Sequence, residues 1–368
     1  MKTAFSMKKT PEEVTADLKS QLGDKNPQAV LFFASSVYEP AILSEKMQKA
    51  FDGAEVFGCT TAGEIVSGKM LKQSVVAMAF EDSVMDQMKL SVIENVNQAG
   101  AVEQAFSGFE KYFGSSMSDL DPAKHVGIIL VDGLSKSEEK LIDRIGDLTN
   151  ITFIGGSAGD DLQFKATHVF ANGKAYTNAA VLALLKPKVG FDIIKTQSFC
   201  ALDREFTATK VKEADREVIE FNGKPAAVAY AEAIGAAVGD APKHFMTHPV
   251  GLMIQGEPYV RSPQQIKDEG MVFYCNVKEQ MKLSILKSTD IVEDTRKAVE
   301  AKKSEIGNID GIVNFHCILR TLELEDKGQT DAYGKIFSDI PTIGFSTYGE
   351  QYIGHINQTS TMLVFKNG

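Results

Sequence analysis

The stretch Gly58-Cys59-Thr60-Thr61-Ala62-Gly63-Glu64 decides the reading of this chain, because close variants of it occur twice more. They are Gly155-Gly156-Ser157-Ala158-Gly159-Asp160 and Gly344-Phe345-Ser346-Thr347-Tyr348-Gly349-Glu350. The third string matches the first in place, with Gly first, a Ser/Thr pair inside, Gly sixth and Glu seventh; the second is one residue shorter and ends in Asp. A unit written three times is the signature of an internal repeat.

Around each string the pattern is the same. In the first copy an amphipathic stretch over 11–22 leads to an apolar run at 29–34, rich enough in Val, Leu and Phe for a strand buried on both faces. A helix is predicted over 40–51, with Leu43 and Met47 on one face, then a strand over 55–57, the glycine string, and an outgoing strand over 74–80. The second copy has a helix over 101–113, a strand over 126–131, and a helix opened by Ser135 with Glu138 in capping-box spacing. A strand over 151–154 then runs into its glycine string, and 179–185 carries the chain out. The third has a charged helix over 291–305, a strand over 312–318, a short helix over 333–337, a strand over 342–345 and an outgoing strand over 361–365. Strands joined by helices predict an α/β fold of β-α-β units in two lobes, with the glycine strings at the carboxyl ends of strands, where open α/β sheets collect ligands.

Between the second and third copies, alternation at period two in Glu205-Phe206-Thr207-Ala208-Thr209 and Glu217-Val218-Ile219-Glu220-Phe221 predicts an added antiparallel β segment. Asn222-Gly223 is a turn signal, and the Ala-rich 226–237 reads as a helix. The change of character near Lys186-Pro187-Lys188 sets the expected domains at 1–195 and 196–368.

Composition narrows the function. Lys plus Arg number 39 against 49 Asp plus Glu, a formal net charge of -10 over 368 residues with no basic run. Phosphate-backbone binding lacks its driving force, so nucleic acid is not an expected partner. Neither is a membrane, since no stretch nears the roughly 18 apolar residues of a span. No export signal is visible. The four cysteines, Cys59, Cys200, Cys275 and Cys317, form no C-x-x-C pair and suit a reducing cytoplasm.

Taken together, the three glycine strings, Asn222-Gly223-Lys224-Pro225-Ala226 and the F-x-C-x-x-R of Phe315 to Arg320 resemble, in content and order, the FIST family of bacterial sensory domains. The resemblance implies an N-terminal and a C-terminal FIST half, small ligands such as amino acids, and an intracellular sensory role. Some members bind haem and report nitric oxide to a partner histidine kinase. With no output module visible in the sequence, signalling is expected to run through a separate protein.

The residues themselves suggest where a ligand sits. Glycines flanking small hydroxyl residues let backbone N–H groups approach an oxygen, and Thr60, Thr61, Ser157, Ser346 and Thr347 add donors. The alternative is a tight strand exit that needs glycine at φ above zero. Glu64, Asp160 and Glu350 are candidates for a ligand amine or for capping backbone N–H groups. Arg320, placed at the end of a buried strand, requires an anionic or carbonyl partner, and Arg261 resembles a family arginine. Cys59 and Cys317 lie at strand ends, as candidate ligand contacts, as buried thiols, or as the nucleophile of a cysteine-dependent enzyme. No P-loop, G-x-S-x-G, H-E-x-x-H or dinucleotide fingerprint is present, so a binding protein rather than an enzyme is expected. For haem or zinc the candidates are His168 and His248; haem ligation by a single residue leaves little trace in sequence. The cofactor stays open.

Overall fold

A computed structural model describes residues 1–23 and 27–367. It is a mixed α/β protein of several sheets in two compact units. Unit 1 comprises Met1–Lys195, Thr295–His355 and the residues from Ser360 on; unit 2 comprises Thr196–Asp294 and Ile356–Thr359. The third of the sequence copies, which the expected halves place at 196–368, thus lies almost wholly in the unit that holds the first two.

The chain opens with β1 (Lys2–Ser6), α1 (Pro11–Leu22), β2 (Ala29–Ser35), α2 (Pro40–Ala50) and β3 (Glu55–Thr61), then a hairpin of β4 (Glu64–Val66) and β5 (Lys69–Leu71), and β6 (Val75–Phe80). A second series follows in the same order: β7 (Met85–Ile93), α3 (Ala101–Phe113), β8 (Val126–Val131), α4 (Glu138–Leu148), β9 (Phe153–Ser157), the hairpin β10 (Val169–Ala171) and β11 (Lys174–Tyr176), and β12 (Ala180–Pro187). A third begins with β13 (Phe191–Gln197) and is interrupted by unit 2.

Unit 2 contains β14 (Phe199–Lys212), β15 (Glu217–Phe221), β16 (Lys224–Pro225), α5 (Ala226–Ile234), β17 (Val250–Ile254), β18 (Glu257–Arg261), β19 (Pro263–Lys267), β20 (Gly270–Phe273) and β21 (Lys282–Ser288). The third series then resumes with α6 (Ile291–Ile306), β22 (Ile309–Cys317), α7 (Ile318–Asp326), α8 (Thr330–Lys335), β23 (Thr342–Thr347), β24 (Glu350–Tyr352), β25 (His355–Ile356) and β26 (Thr359–Lys366).

Local chemistry sets the ends of these elements. Thr10 and Glu13 form a reciprocal capping box at the start of α1, with Pro11 in its first turn and Val14, Leu18 and Leu22 buried along one stripe. The capping box expected from Ser135 and Glu138 does not form. Lys136 adopts φ 54°, Ser135 Oγ donates to the carbonyl of Asp132 at 2.7 Å, and the helix starts only at Glu138. The strand expected over 312–318 ends at Cys317, where the chain turns directly into α7, so Arg320 is a helix residue.

Unit 1 holds three six-stranded sheets with orders β1-β6-β2-β3-β10-β11, β7-β12-β8-β9-β24-β25 and β13-β26-β22-β23-β4-β5. In each, one parallel pair (β2 with β3, β8 with β9, β22 with β23) has an α-helical segment between its strands, and the strand that returns pairs antiparallel. Each short hairpin leaves its own sheet. The one after β3 adds to β23, the one after β9 to β3, and the one after β23 to β9. Inner faces meet in a shared core that includes Phe33, Phe57, Ile128, Leu130, Phe315 and Phe345, while α1 and α2 cover the outer face of the first sheet and α3 and α4 that of the second. Burial on both faces is why these strands read as unbroken apolar runs.

Unit 2 is an antiparallel sheet of order β18-β17-β21-β14-β15-β20-β19, with β16 beside β15. Asn222 and Gly223, at φ 52° and 75°, make the two-residue turn between β15 and β16. Among the described residues no helix is long and apolar enough to cross a membrane.

Candidate functional site

Each glycine string begins inside a strand. Gly58, Gly155 and Gly344 lie within β3, β9 and β23, opposite Phe32, Ile129 and Asn314 of the parallel neighbour. A Cβ on them would fall 1.8, 1.7 and 2.3 Å from the carbonyl oxygens of those partners. Close backbone approach, not φ above zero, requires glycine at these three places. Of the glycines that close the strings, only Gly63 has a positive φ, 131°.

The three strings meet. Ala62 N–H donates to the Ser346 carbonyl at 3.1 Å and Ser346 N–H returns to Gly63 at 2.8 Å. Gly159 N–H donates to Thr60 at 2.9 Å, Asp161 N–H to Thr61 at 3.0 Å, Ser157 N–H to Gly349 at 2.9 Å and Tyr348 N–H to Ser157 at 3.2 Å. These backbone donors, which the sequence offers to an oxyanion, are used by the carbonyls of the neighbouring string. The hydroxyls are engaged as well. Thr60 Oγ1 accepts from His168 N–H at 2.9 Å, Thr61 donates to Glu64, and Thr347 Oγ1 donates to the Ser157 carbonyl at 2.8 Å.

Glu64 and Asp160 act as internal acceptors. Buried Glu64 accepts from Thr61 and from the Ser74 N–H and hydroxyl, at 3.1 and 2.6 Å, and loss of hydration pushes its pKa up to about 8. Asp160 accepts from the N–H groups of Phe164, Lys165 and Ala166 at 2.9, 2.6 and 3.1 Å, and from the Tyr348 hydroxyl at 2.5 Å. Glu350 is buried on β24 opposite Gly156. Cys59 lies in the shared apolar core, where burial pushes its thiol pKa well up, and Cys317 is buried at the start of α7.

Arg261 and His248 belong to unit 2 and the remaining candidates to unit 1. Arg261 Nη1 donates to the carbonyl of Val260 at 3.2 Å. His248 packs near His244, ring centroids 5.8 Å apart, with Nδ1 3.0 Å from the Thr247 hydroxyl. Burial lowers the pKa of both His168 and His248. A neutral imidazole suits an iron, but haem also needs an apolar slot. Asp132, Glu39 and Asp160 act on His168, and Lys287 acts on His248. Among the described residues no cluster of three or more His, Cys, Asp or Glu side chains could hold a metal ion.

Arg320 and Ser346 join a group whose other members no sequence motif singles out. On the outer face of the third sheet, Asn314 and His316 of β22 and Ser360 of β26 are fully buried together with Tyr333 of α8. Asn314 Nδ2 donates to the Tyr333 oxygen at 3.1 Å and Ser360 Oγ donates to Asn314 Oδ1 at 2.7 Å. Tyr333 Oη lies 2.9 Å from His316 Nδ1 and 3.4 Å from Ser360 Oγ. Its single proton goes to the nearer and more basic acceptor, Nδ1, which fixes the proton of the neutral ring on Nε2. That Nε2 has no hydrogen-bond partner among the described residues. An unmet buried donor costs about 1–3 kcal/mol. Arg320 on α7 is 1% exposed, its Nη2 donates to Thr295 Oγ1 of α6 at 3.0 Å, and its charge acts on both His316 and Tyr333. Burial, then Arg320, holds the His316 pKa well below the usual histidine range, so the ring is neutral. Thr321 and Ser346 hydroxyls, 2.7 Å apart, tie α7 to the third glycine string. The signal in the sequence is the alternation Asn314-Phe315-His316, where the other two copies carry Phe32-Phe33-Ala34 and Ile129-Leu130-Val131.

Residues 28–224 match the FIST N domain and residues 226–353 the FIST C domain, nearly the whole chain. The protein belongs to the FIST family, a class associated with small-ligand sensing in signalling. The two matches meet inside unit 2, at β16. The chain is also similar to an uncharacterized protein of Methanocaldococcus jannaschii, 24% identical over 321 residues, which cover 80% of this chain and 60% of that protein.

Proposed function

We propose that this protein is a small-ligand sensor that passes its state of occupancy to a separate signalling protein. The observation that carries the reading is the pair of adjacent FIST matches. On this reading the three sheets are copies of one β-α-β unit, the ligand is an amino acid or a similarly small molecule bound beside the glycine strings, and the site of action is the cytoplasm. Four cysteines in the thiol form agree with a reducing compartment. Binding rather than catalysis is favoured by the burial of Cys59, which disfavours a thiolate. A ligand changes the signal only by favouring one conformation over another, and the partner, such as a histidine kinase, reads that preference.

The test is a thermal-shift screen of the purified chain against the twenty amino acids, with an absorption spectrum before and after added haemin. A saturable rise in the midpoint with one amino acid or a related few is the expected result. No shift with any of them, together with a stoichiometric Soret band that moves with nitric oxide, would transfer the reading to a haem sensor.

A further inference from the structure

The string Asn222-Gly223-Lys224-Pro225-Ala226 supplies more than a turn. Beside it, within unit 2, lies a cavity of about 400 Å³, a volume in the range of small-molecule sites. Its cause is the pairing of β14, which runs with β21 over Phe199–Thr207 and with β15 over Ala208–Lys212. β15 ends at Phe221, short of the first half of β14, and α5 lies along the gap with Ala229 and Ala233, two side chains too short to fill it.

The floor is apolar. Phe206 and Phe221, with rings stacked at 4.7 Å, form it together with Ala229 and Ala233. The rim is charged and exposed, and is made by Arg204, Glu205, Lys224 and Glu232. Two of these neutralise each other, with Lys224 Nζ 2.8 Å from Glu232 Oε2. The side chains of Arg204 and Glu205 have no hydrogen bond or ion pair among the described residues. On a regular strand, successive side chains point to opposite faces. β14 bulges between Ala201 and Glu205, and Arg204 and Glu205 line the same cavity. Asn222, at φ 52°, fixes this wall: its Oδ1 accepts from Thr207 N–H at 2.7 Å and its Nδ2 donates to the Glu205 carbonyl at 3.4 Å.

Water over such a floor finds few partners, so an apolar group gains by displacing it. A cation and an anion left open at one mouth call for a ligand that carries both charges, a carboxylate for the planar guanidinium and an ammonium for the Glu205 carboxylate. A plain acid or a plain amine would leave one of the two unmatched. We infer that this cavity of unit 2 is a binding site for a small zwitterion with an apolar body, its carboxylate on Arg204, its ammonium on Glu205 and its body on Phe206, Phe221 and the alanines of α5. Such a ligand touches β14, the β15–β16 turn and α5 at once, so occupancy favours the conformation that holds the three together. The site goes beyond the reading above and does not depend on what binds beside the glycine strings of unit 1.

The experiment is isothermal titration calorimetry of the full chain with four probes: L-phenylalanine, phenylacetate, which lacks the ammonium, phenethylamine, which lacks the carboxylate, and glycine, which lacks the apolar body. Saturable binding of phenylalanine is expected, with each of the other three at least about tenfold weaker. R204M is expected to weaken phenylalanine and phenylacetate but not phenethylamine, and E205Q to weaken phenylalanine and phenethylamine but not phenylacetate. This crossed pattern is one that a general loss of structure does not produce. A233F, which fills the cavity, is expected to abolish binding. Phenylalanine that binds all three variants as it binds the parent chain sits elsewhere, which overturns this site and leaves the sensor reading standing. No binding of phenylalanine at tens of millimolar, or a truncated probe that binds as well as phenylalanine, overturns the inference without any variant having to fold.

Discussion

The rings of Phe33 on β2 and Phe345 on β23 lie 4.5 Å apart, tilted by 38°, and join the first and third sheets in one core. Phe315 completes the contact at 6.3 Å from Phe33 and 6.0 Å from Phe345. Residues more than 300 positions apart in sequence therefore share one cluster. Replacing Phe345 by Ala should lower the unfolding free energy by about 3–5 kcal/mol. Urea denaturation of the variant checks this, and a change below about 1 kcal/mol would show that the sheets are held together elsewhere.

Glu64 gives a pH dependence with a definite sign. Its folded pKa, about 8, is above the ordinary value of 4.5, so the folded state binds the extra proton between those limits. Stability from this residue is then fully present below about pH 4.5 and falls as pH rises toward 8. E64Q should flatten that part of the profile and be the more stable form at pH 8. Equal slopes for the two proteins over pH 5–8 would remove Glu64 as the source.

Two glycine substitutions should act in opposite directions. G155A forces a Cβ against the Ile129 carbonyl, 1.7 Å away, and should prevent stable folding. G146A lies in α4, where an added Cβ meets nothing within 4 Å, and should stabilise by up to about 1 kcal/mol. Thermal unfolding of both, side by side, separates backbone contact from helix propensity.

Asp160 holds its loop through three backbone N–H groups and the Tyr348 hydroxyl. D160A leaves those donors without their carboxylate. Hydrogen exchange at Phe164, Lys165 and Ala166 should speed up by roughly tenfold or more, given about 1.5–3 kcal/mol for bonds to a charged group. Unchanged exchange at all three amides would mean that the loop is held by Asp161 instead, which accepts from Ser35 and Ser36.

Thiol reactivity distinguishes the sensor from a cysteine enzyme. Cys200 is exposed, while Cys59, Cys275 and Cys317 are buried. In the native protein one thiol should react with a maleimide quickly and three only after denaturation. Fast alkylation of Cys59 or Cys317 under native conditions would revive the enzymatic reading.

Elements with a strong local signal are legible in the amino-acid sequence alone. The helix over 101–113 and the strand over 126–131 coincide with α3 and β8, since an apolar stripe or run bounded by turn residues leaves little choice. The hairpins β4–β5, β10–β11 and β24–β25 are not legible in that way. Their strands are two or three residues long and pair with other sheets, so no periodicity within the chain reports them. Helix α7 is hidden because Ile318 continues the apolar run of β22. At the site, Arg320 stands out as a charge in an apolar context. His316 and Tyr333 do not, because their importance lies in a register that only the paired strands reveal.

The exchange of hairpins between sheets sets a timetable for synthesis. β4 and β5 leave the ribosome early, but β23, the strand they pair with, begins at Thr342, after all but the last few residues of unit 2 have been made. At roughly 5–20 residues per second that interval is on the order of fifteen to fifty seconds, during which the β4–β5 hairpin presents an unpaired strand edge. A nascent chain of this protein therefore depends on chaperone cover or on slow, late closure of unit 1, and a truncation before β23 leaves the β4–β5 hairpin without its partner however well the first two sheets have formed.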